Sequence, residues 1–262
     1  MNDSYAQNGY LLKKGRFVAD ELVAVREILQ RFHAGWLNRN REFYENRGAI
    51  NSAYLTDPRY MSAQDRGVMF KLISSSKIQS LLAPIMPNGV AFMNTQLFFG
   101  PANSSKKNYW HRDIQYSGMS LTDQQSELAA TNVIHCRIAL VDEPGIELVP
   151  GTHERWDTEQ EFEIRTEKNG RHVYDDLPGA HKLKLKAGDL LVFSANMIHR
   201  GLYAPDRLAL DILYCDPVPS LLEYCKETCL PNAQELKRLD PVSPLAVTAM
   251  EMAKLVQRRI KD

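Results

Sequence analysis

The sequence predicts a mainly β protein with flanking helices (α+β), organised around a jelly-roll-like core. From Val90 onward six β-rich runs follow one another: "VAFMNTQLFF", "TNVIHCRIALV", "IELVPG", "HKLKLK", "LLVFS" and "RLALDILYC". Gly, Pro and Asp punctuate them, and no helical pattern is read between them, which argues for a sandwich or barrel rather than βαβ units. On both sides of this stretch the apolar spacing becomes helical.

A length of 262 residues lies at the upper end of single-domain sizes. One domain over 1–262 is expected, with a mainly helical part at 1–89, a core at 90–217 and a helical extension at 218–262. The 32 basic and 32 acidic side chains cancel, so no long-range field attracts nucleic acid or an anionic membrane, and neither is expected as a partner. Cys136, Cys215, Cys225 and Cys229 form no CxxC pair, a usage that suits reduced thiols. The opening "MNDSYAQNGYLLKKG" has no charged-then-apolar leader pattern, and no apolar run approaches the roughly 20 residues of a membrane helix. A cytoplasmic location is the expectation.

Taken in order, "GYLLKKGRF" reads as a short strand, and Asp20 as the N-cap of a helix whose apolar positions are Leu22, Val25, Ile28, Leu29, Phe32 and Trp36. Asn38 to Arg66 is polar and irregular, suited to a lid. "SSSKIQSLLAPIM" is a second helix, capped from Ser74–Ser76 and stopped at Pro84 or Pro87. "KAGD" is a tight turn between two core strands. After Pro217, Ala246, Ala249, Ala253, Val256 and Ile260 mark the stripe of a last helix.

Chemistry enters with "NYWHRDIQYSG". Residues i and i+2 of a strand share a face, so His111 and Asp113 are placed to converge on one ion. A His-x-Asp arises often by chance and needs a second feature. That feature is "GDLLVFSANMIHRGLYAPDRLALDI", where His199 follows an apolar strand and Arg207 comes eight residues later. Two imidazoles and a carboxylate on a β scaffold suit the facial triad of a non-haem Fe(II) oxygenase, which leaves three coordination positions open. Zinc accepts the same donors, and a zinc hydrolase or a non-catalytic jelly-roll binder are the competing readings. A kinase reading of "HRD" fails, because Gly118 stands where the asparagine belongs and no glycine-rich phosphate loop precedes it. An arginine near the second histidine fits a carboxylate bidentately.

In this order "WHRD", "VPGTH" and "GDLLVF…H…R…AL" resemble the phytanoyl-CoA dioxygenase family of Fe(II)/2-oxoglutarate-dependent oxygenases, from "GYLLKKGRFVADELVAVREIL" to "DILYCDP". The resemblance implies a double-stranded β-helix (jelly roll, cupin-like), with Fe(II), 2-oxoglutarate and O₂ as cofactor and cosubstrates. It implies His111, Asp113 and His199 as iron ligands and Arg207 as the anchor of the distal 2-oxoglutarate carboxylate, with Arg200 a rival because the His199–Arg207 spacing is short. It also implies hydroxylation, since Asp113 fills the position that a halogenase leaves to halide.

Two departures from the family stand out. Gly201 replaces a common serine, and Arg137 replaces a common tryptophan. Arg137 is therefore a candidate second contact to 2-oxoglutarate or to an anionic substrate, and Gln96 a candidate contact to either molecule. Phe98, Trp110 and Tyr116 divide between core and pocket. His153 of "VPGTH" is expected to support the site from behind the ligands, while His33, His135, His172 and His181 are expected in the core or on the surface. A small polar or anionic metabolite is the expected substrate.

Overall fold

The computed structural model describes residues 2–261, with the side chains of 2, 3 and 259–261 outside the description. Helix α1 (Asn2–Asn8) leads into β1 (Tyr10–Lys13), then the long α2 (Ala19–Arg47), β2 (Asn51–Ala53), α3 (Ala63–Ile73), α4 (Ser76–Leu82) and β3 (Ala91–Phe99). Helix α5 (Leu121–Ala130), β4 (Val133–Ala139), β5 (Glu143–Leu148), α6 (Glu159–Thr166), β6 (His181–Leu185), β7 (Leu190–Ser194), β8 (His199–Gly201) and β9 (Leu208–Cys215) follow. The short α7 (Pro219–Leu222) and α8 (Ala233–Leu236) precede α9 (Pro244–Lys261).

The six core runs are all strands, and α5 and α6 are interposed between them, contrary to the expectation of helix-free connections. Both helices start at side-chain caps: Ser120 accepts from the Asp123 N–H, and Thr158 from the Glu161 N–H. Two antiparallel sheets result, in the orders β1-β7-β4-β9-β3-β2 and β6-β5-β8. The larger sheet alternates with period two. Its outer face carries Phe92, Leu97, Ile134, Cys136, Ile138, Val192, Leu210 and Ile212, packed on Leu22, Ile28, Leu29, Met69, Phe70 and Ile73 of α2 and α3. Leu191 and Phe193 of its inner face meet Ile146, Leu148 and Leu185 of the smaller sheet.

Helix α2 begins one residue before Asp20; Glu21 closes its first turn by accepting from the Val18 N–H at 2.9 Å. It runs through Asn38 to Arg47, so the irregular segment expected there is helical, with non-helical angles at Asn40. The Asn40 amide donates to the Trp36 carbonyl at 2.9 Å, a side-chain bond that competes with the helical ladder. Helix α3 begins at the end of the expected lid and runs beyond it; Ser62 caps it by accepting from the Asp65 N–H. The second helix of the sequence reading is α4; Ser75 holds its N-cap position, but contrary to the expected serine cap its hydroxyl makes no bond to the first turn.

In α9 the inward residues are Leu245, Thr248, Ala249 and Met252, while Ala253 and Val256 of the expected stripe are exposed and the Ile260 side chain lies outside the described residues. Thr248 is buried because its hydroxyl links the helix to β3, accepting from the Phe92 N–H at 2.7 Å and donating to the Phe92 carbonyl at 2.9 Å. No described helix is long and apolar enough to cross a membrane.

Candidate metal centre

His111 and His199 exchange both backbone bonds, at 3.0 and 2.9 Å, as an isolated antiparallel bridge beyond the edge of the smaller sheet. Directly opposed residues of such a pair present their side chains to one face, and the two rings lie 4.2 Å apart. Asp113 does not continue a strand. It opens a 3-10 turn, Asp113–Tyr116, so its convergence with His111 comes from a turn and not from strand alternation.

That turn is held by Arg112, fully buried between His111 and Asp113 in the sequence. Its Nε donates to Asp157 at 2.8 Å, and its terminal nitrogens donate to the carbonyls of Thr152, Asn196 and Arg155. The "VPGTH" turn thus serves the site through Thr152, whose hydroxyl also accepts from the Ile198 N–H at 2.9 Å. His153 instead packs edge-on against Tyr5, away from the cavity, so the supporting role expected of it falls to its neighbour.

Donor atoms of His111, Asp113 and His199 lie within 4.8 Å of one another. Nδ1 of His111 faces the Tyr109 carbonyl at 3.2 Å, and Nδ1 of His199 the Met197 carbonyl at 3.0 Å. A carbonyl only accepts, so both Nδ1 atoms carry the proton and both Nε2 lone pairs are free for a metal. Each Nε2 is 3.5 Å from Oδ1 of Asp113. Burial lowers the His111 pKa, and burial with the nearby His111 pushes His199 down to about 3, so both rings are neutral at ordinary pH. Burial opposes charge on Asp113, yet His135, His199 and His111 hold its carboxyl well below the usual range.

His135 was not expected here. Its Nε2 donates to Oδ2 of Asp113 at 2.7 Å, and its Nδ1 contacts Oδ2 of Asp211 at 3.0 Å. Burial alone would lower its pKa, but the two carboxylates push it up to about 9. From Asp211 the contacts continue to Arg137 Nη1 at 3.3 Å, from Arg137 Nε to Glu143 at 3.0 Å, and from the other Glu143 oxygen to Arg207 Nε at 3.1 Å. Arg207 is 2% exposed, and burial together with the adjacent Arg137 brings its pKa down to about 10. Both terminal nitrogens of Arg207 and Nη2 of Arg137 are buried without a hydrogen-bond partner among the described residues.

Triad, Arg137, Arg207, Gln96, Phe98 and Tyr116 line one cavity of about 440 Å³. Phe98 lies beneath both guanidiniums, 4.8 Å from that of Arg137 and 5.2 Å from that of Arg207. Trp110 is buried outside the cavity, with Nε1 donating to the Asp175 carbonyl. Arg200 also turns away, bound to Glu147 at 2.8 Å and Asp176 at 2.9 Å, which leaves Arg207 and Arg137 as the cavity's guanidiniums.

The model of the phytanoyl-CoA dioxygenase (PhyH) family matches residues 5–202. The chain belongs to this family. Its class is that of the Fe(II)/2-oxoglutarate-dependent dioxygenases. Among solved structures it is similar to HygX from Streptomyces hygroscopicus with nickel, 2-oxoglutarate and hygromycin B bound, at 14% identity over 82% of this chain and 85% of that one, TM-score 0.60. It is also similar to AviO1 from Streptomyces viridochromogenes Tue57, at 15% identity over 82% and 93%, TM-score 0.56. EctD from S. alaskensis with bound Fe matches at 15% identity over 82% and 75%, TM-score 0.54. At these identities the likeness is one of fold, the jelly roll with flanking helices. The comparison with curated protein sequences finds no match.

The residues present fit the iron and the keto acid. Two free imidazole lone pairs and one carboxylate oxygen form a three-donor face, and the unpartnered nitrogens of Arg207 are the kind of buried donor that calls for an anion.

Proposed function

We propose that the whole chain forms one oxygenase unit that hydroxylates a C–H bond of a small metabolite while 2-oxoglutarate is decarboxylated to succinate. The observation that carries the reading is the joint placement of the three-donor face and the unpartnered Arg207 fork in one cavity. His111, Asp113 and His199 would hold Fe(II), which when bound supplies the O₂ chemistry that couples decarboxylation to oxidation. Arg207, held by Glu143, receives the distal carboxylate and orients the cosubstrate, with Arg137 behind it. Gln96, paired in register with Asp211 on the inner face of the larger sheet, is placed to donate to either bound molecule.

The lining argues against an anionic substrate. Both cavity guanidiniums sit beside Phe98 and Glu143, at the cosubstrate end. The rest of the wall includes Tyr54, Asn94, Thr131, Ser220 and Tyr224 and one carboxylate, Glu127, with no lysine or further arginine. That chemistry favours a neutral, hydroxylated or amine-bearing molecule, and it offers nothing to the diphosphate of a CoA ester. A volume of about 440 Å³ suits a compact metabolite.

The test is anaerobic addition of Fe(II) and then 2-oxoglutarate to the metal-free protein, followed by exposure to isotopically labelled O₂ with candidate substrates. The visible charge-transfer band of the chelate, O₂-dependent succinate and labelled oxygen in the product are expected. Absence of the band and of succinate refutes the oxygenase site. Succinate with a product lacking the label refutes hydroxylation alone and points to desaturation or epimerisation.

A further inference from the structure

The two oxygens of Asp113 face different neighbours. Oδ1 is 3.5 Å from Nε2 of both His111 and His199, whereas Oδ2 is 2.7 Å from Nε2 of His135. So short a contact between an imidazole nitrogen and a carboxylate oxygen requires a proton between them, which removes that nitrogen as a metal ligand. His135 itself is held on several sides. Its other nitrogen contacts Asp211 at 3.0 Å, its ring stacks on Phe193 at 4.6 Å and 14°, and β4 pairs in register with β9 and β7 at this residue. It is 2% exposed.

We propose that His135 is a positioning residue that reserves Oδ2 of Asp113, so that the carboxylate meets the metal through Oδ1 alone. The inference rests on the proposed iron site of His111, Asp113 and His199. A carboxylate beside a divalent cation binds through one oxygen or two. Three single-atom ligands leave three positions, which a bidentate keto acid and O₂ need in full. A second oxygen from Asp113 would occupy one of them and compete with 2-oxoglutarate. The charge-assisted bond from His135 opposes that swing, and the Phe193 stack and the Asp211 contact keep the imidazole from following it.

His135→Leu removes the bond; His135→Gln keeps an N–H within reach of Oδ2. Each is loaded with Co(II), whose d–d bands respond to a change in its ligand atoms, and is separately titrated with Fe(II) and 2-oxoglutarate without O₂. H135L is expected to keep its metal stoichiometry, show an altered d–d spectrum and bind 2-oxoglutarate about 10- to 100-fold more weakly. H135Q is expected to recover most of both signals. The proposal is overturned if H135L matches the unaltered protein in d–d spectrum and cosubstrate affinity, or if H135Q, folded by circular dichroism, is as defective as H135L. Should H135L not fold, Asp211→Asn loosens the far side of His135; a smaller shift in the same direction is expected, and unchanged signals overturn the proposal. Failure of the unaltered protein to take up any metal would instead overturn the iron site beneath it.

Discussion

Arg207→Ala removes the group assigned to the distal carboxylate of 2-oxoglutarate, and the structure sets the size of the effect. Nε of Arg207 is used by Glu143 at 3.1 Å, while both terminal nitrogens are free to bind the cosubstrate. Hydrogen bonds to charged groups contribute about 1.5–3 kcal/mol each, so losing a two-pronged contact whose geometry is shared is expected to cost about 3 kcal/mol, on the order of 100-fold in Kd. The fold should suffer less. Glu143 keeps its bond from Arg137 at 3.0 Å and is not left as an unpaired buried charge. The assay is anaerobic titration of the Fe(II)-loaded variant with 2-oxoglutarate, read at the charge-transfer band, with metal stoichiometry measured alongside. Arg207→Lys keeps the charge without the fork and should fall between the two. An affinity for Arg207→Ala within about threefold of the unaltered protein, less than 1 kcal/mol, refutes the assignment and passes the role to Arg137.

The remaining predictions concern the ligands, the floor beneath Arg207 and pH. His111→Ala should abolish stoichiometric metal uptake, whereas His153→Ala should leave it unchanged; equal loss in both would restore the supporting role to His153. At Gly201 an added Cβ would lie 2.8 Å from Nη2 of Arg207, so Gly201→Ser should weaken 2-oxoglutarate without affecting the metal, and unchanged affinity would show that the guanidinium shifts freely. For the metal-free protein, His135 has its pKa raised from 6.5 to about 9, so its stabilisation is complete below pH 6.5 and is lost as pH rises towards 9. That contribution is at most about 3 kcal/mol. His199, lowered from 6.5 to about 3, acts in the opposite sense: the unfolded chain takes up the proton first, so stability falls as pH drops below 6.5. Thermal unfolding should therefore show a maximum near neutrality, with an alkaline slope that His135→Leu flattens; a midpoint that rises steadily from neutral to pH about 9 would contradict the assigned charges.

The six core runs were legible as strands because apolar residues between turn residues are a local signal that survives in a single sequence, whereas β2 (Asn51–Ala53) and β8 (His199–Gly201), three residues each, carry no apolar row. The helices α3, α5 and α6 lacked a broad apolar stripe. What marked them were Ser62, Ser120 and Thr158, each accepting from the backbone N–H three residues on. His135 escaped for a different reason. Its partners Asp113 and Asp211 are 22 and 76 residues away, and no local pattern brings them together. A clue lay in "VIHCRIA", where His135 and Arg137 alternate with Ile134, Cys136 and Ile138, an ionisable row on a strand whose other face is core. Such a row must face either solvent or a site, and in a central strand of a sandwich solvent is excluded.

The inner face of the larger sheet carries that argument to its end. Asp113, His135, Asp211, Arg137, Glu143 and Arg207 are joined in sequence by hydrogen bonds, and with His135 protonated their charges alternate. Burying such a chain is costly, and a hydrophobic replacement of similar volume often serves stability as well or better. A network kept only to hold the fold would also satisfy its own donors. This one does not, since Arg207 retains two unpartnered nitrogens and Arg137 one at its cationic end. At the other end Asp113 and the lone pairs of two neutral imidazoles face one point. An anion at the first end and a cation at the second complete both, and 2-oxoglutarate chelated to Fe(II) provides the two in one assembly. On this reasoning the metal and the keto acid should each raise the melting temperature, and together by more than the sum of their separate effects. Strictly additive shifts, measured without O₂, would mean that the two ends work independently and that the buried chain between them serves only the fold.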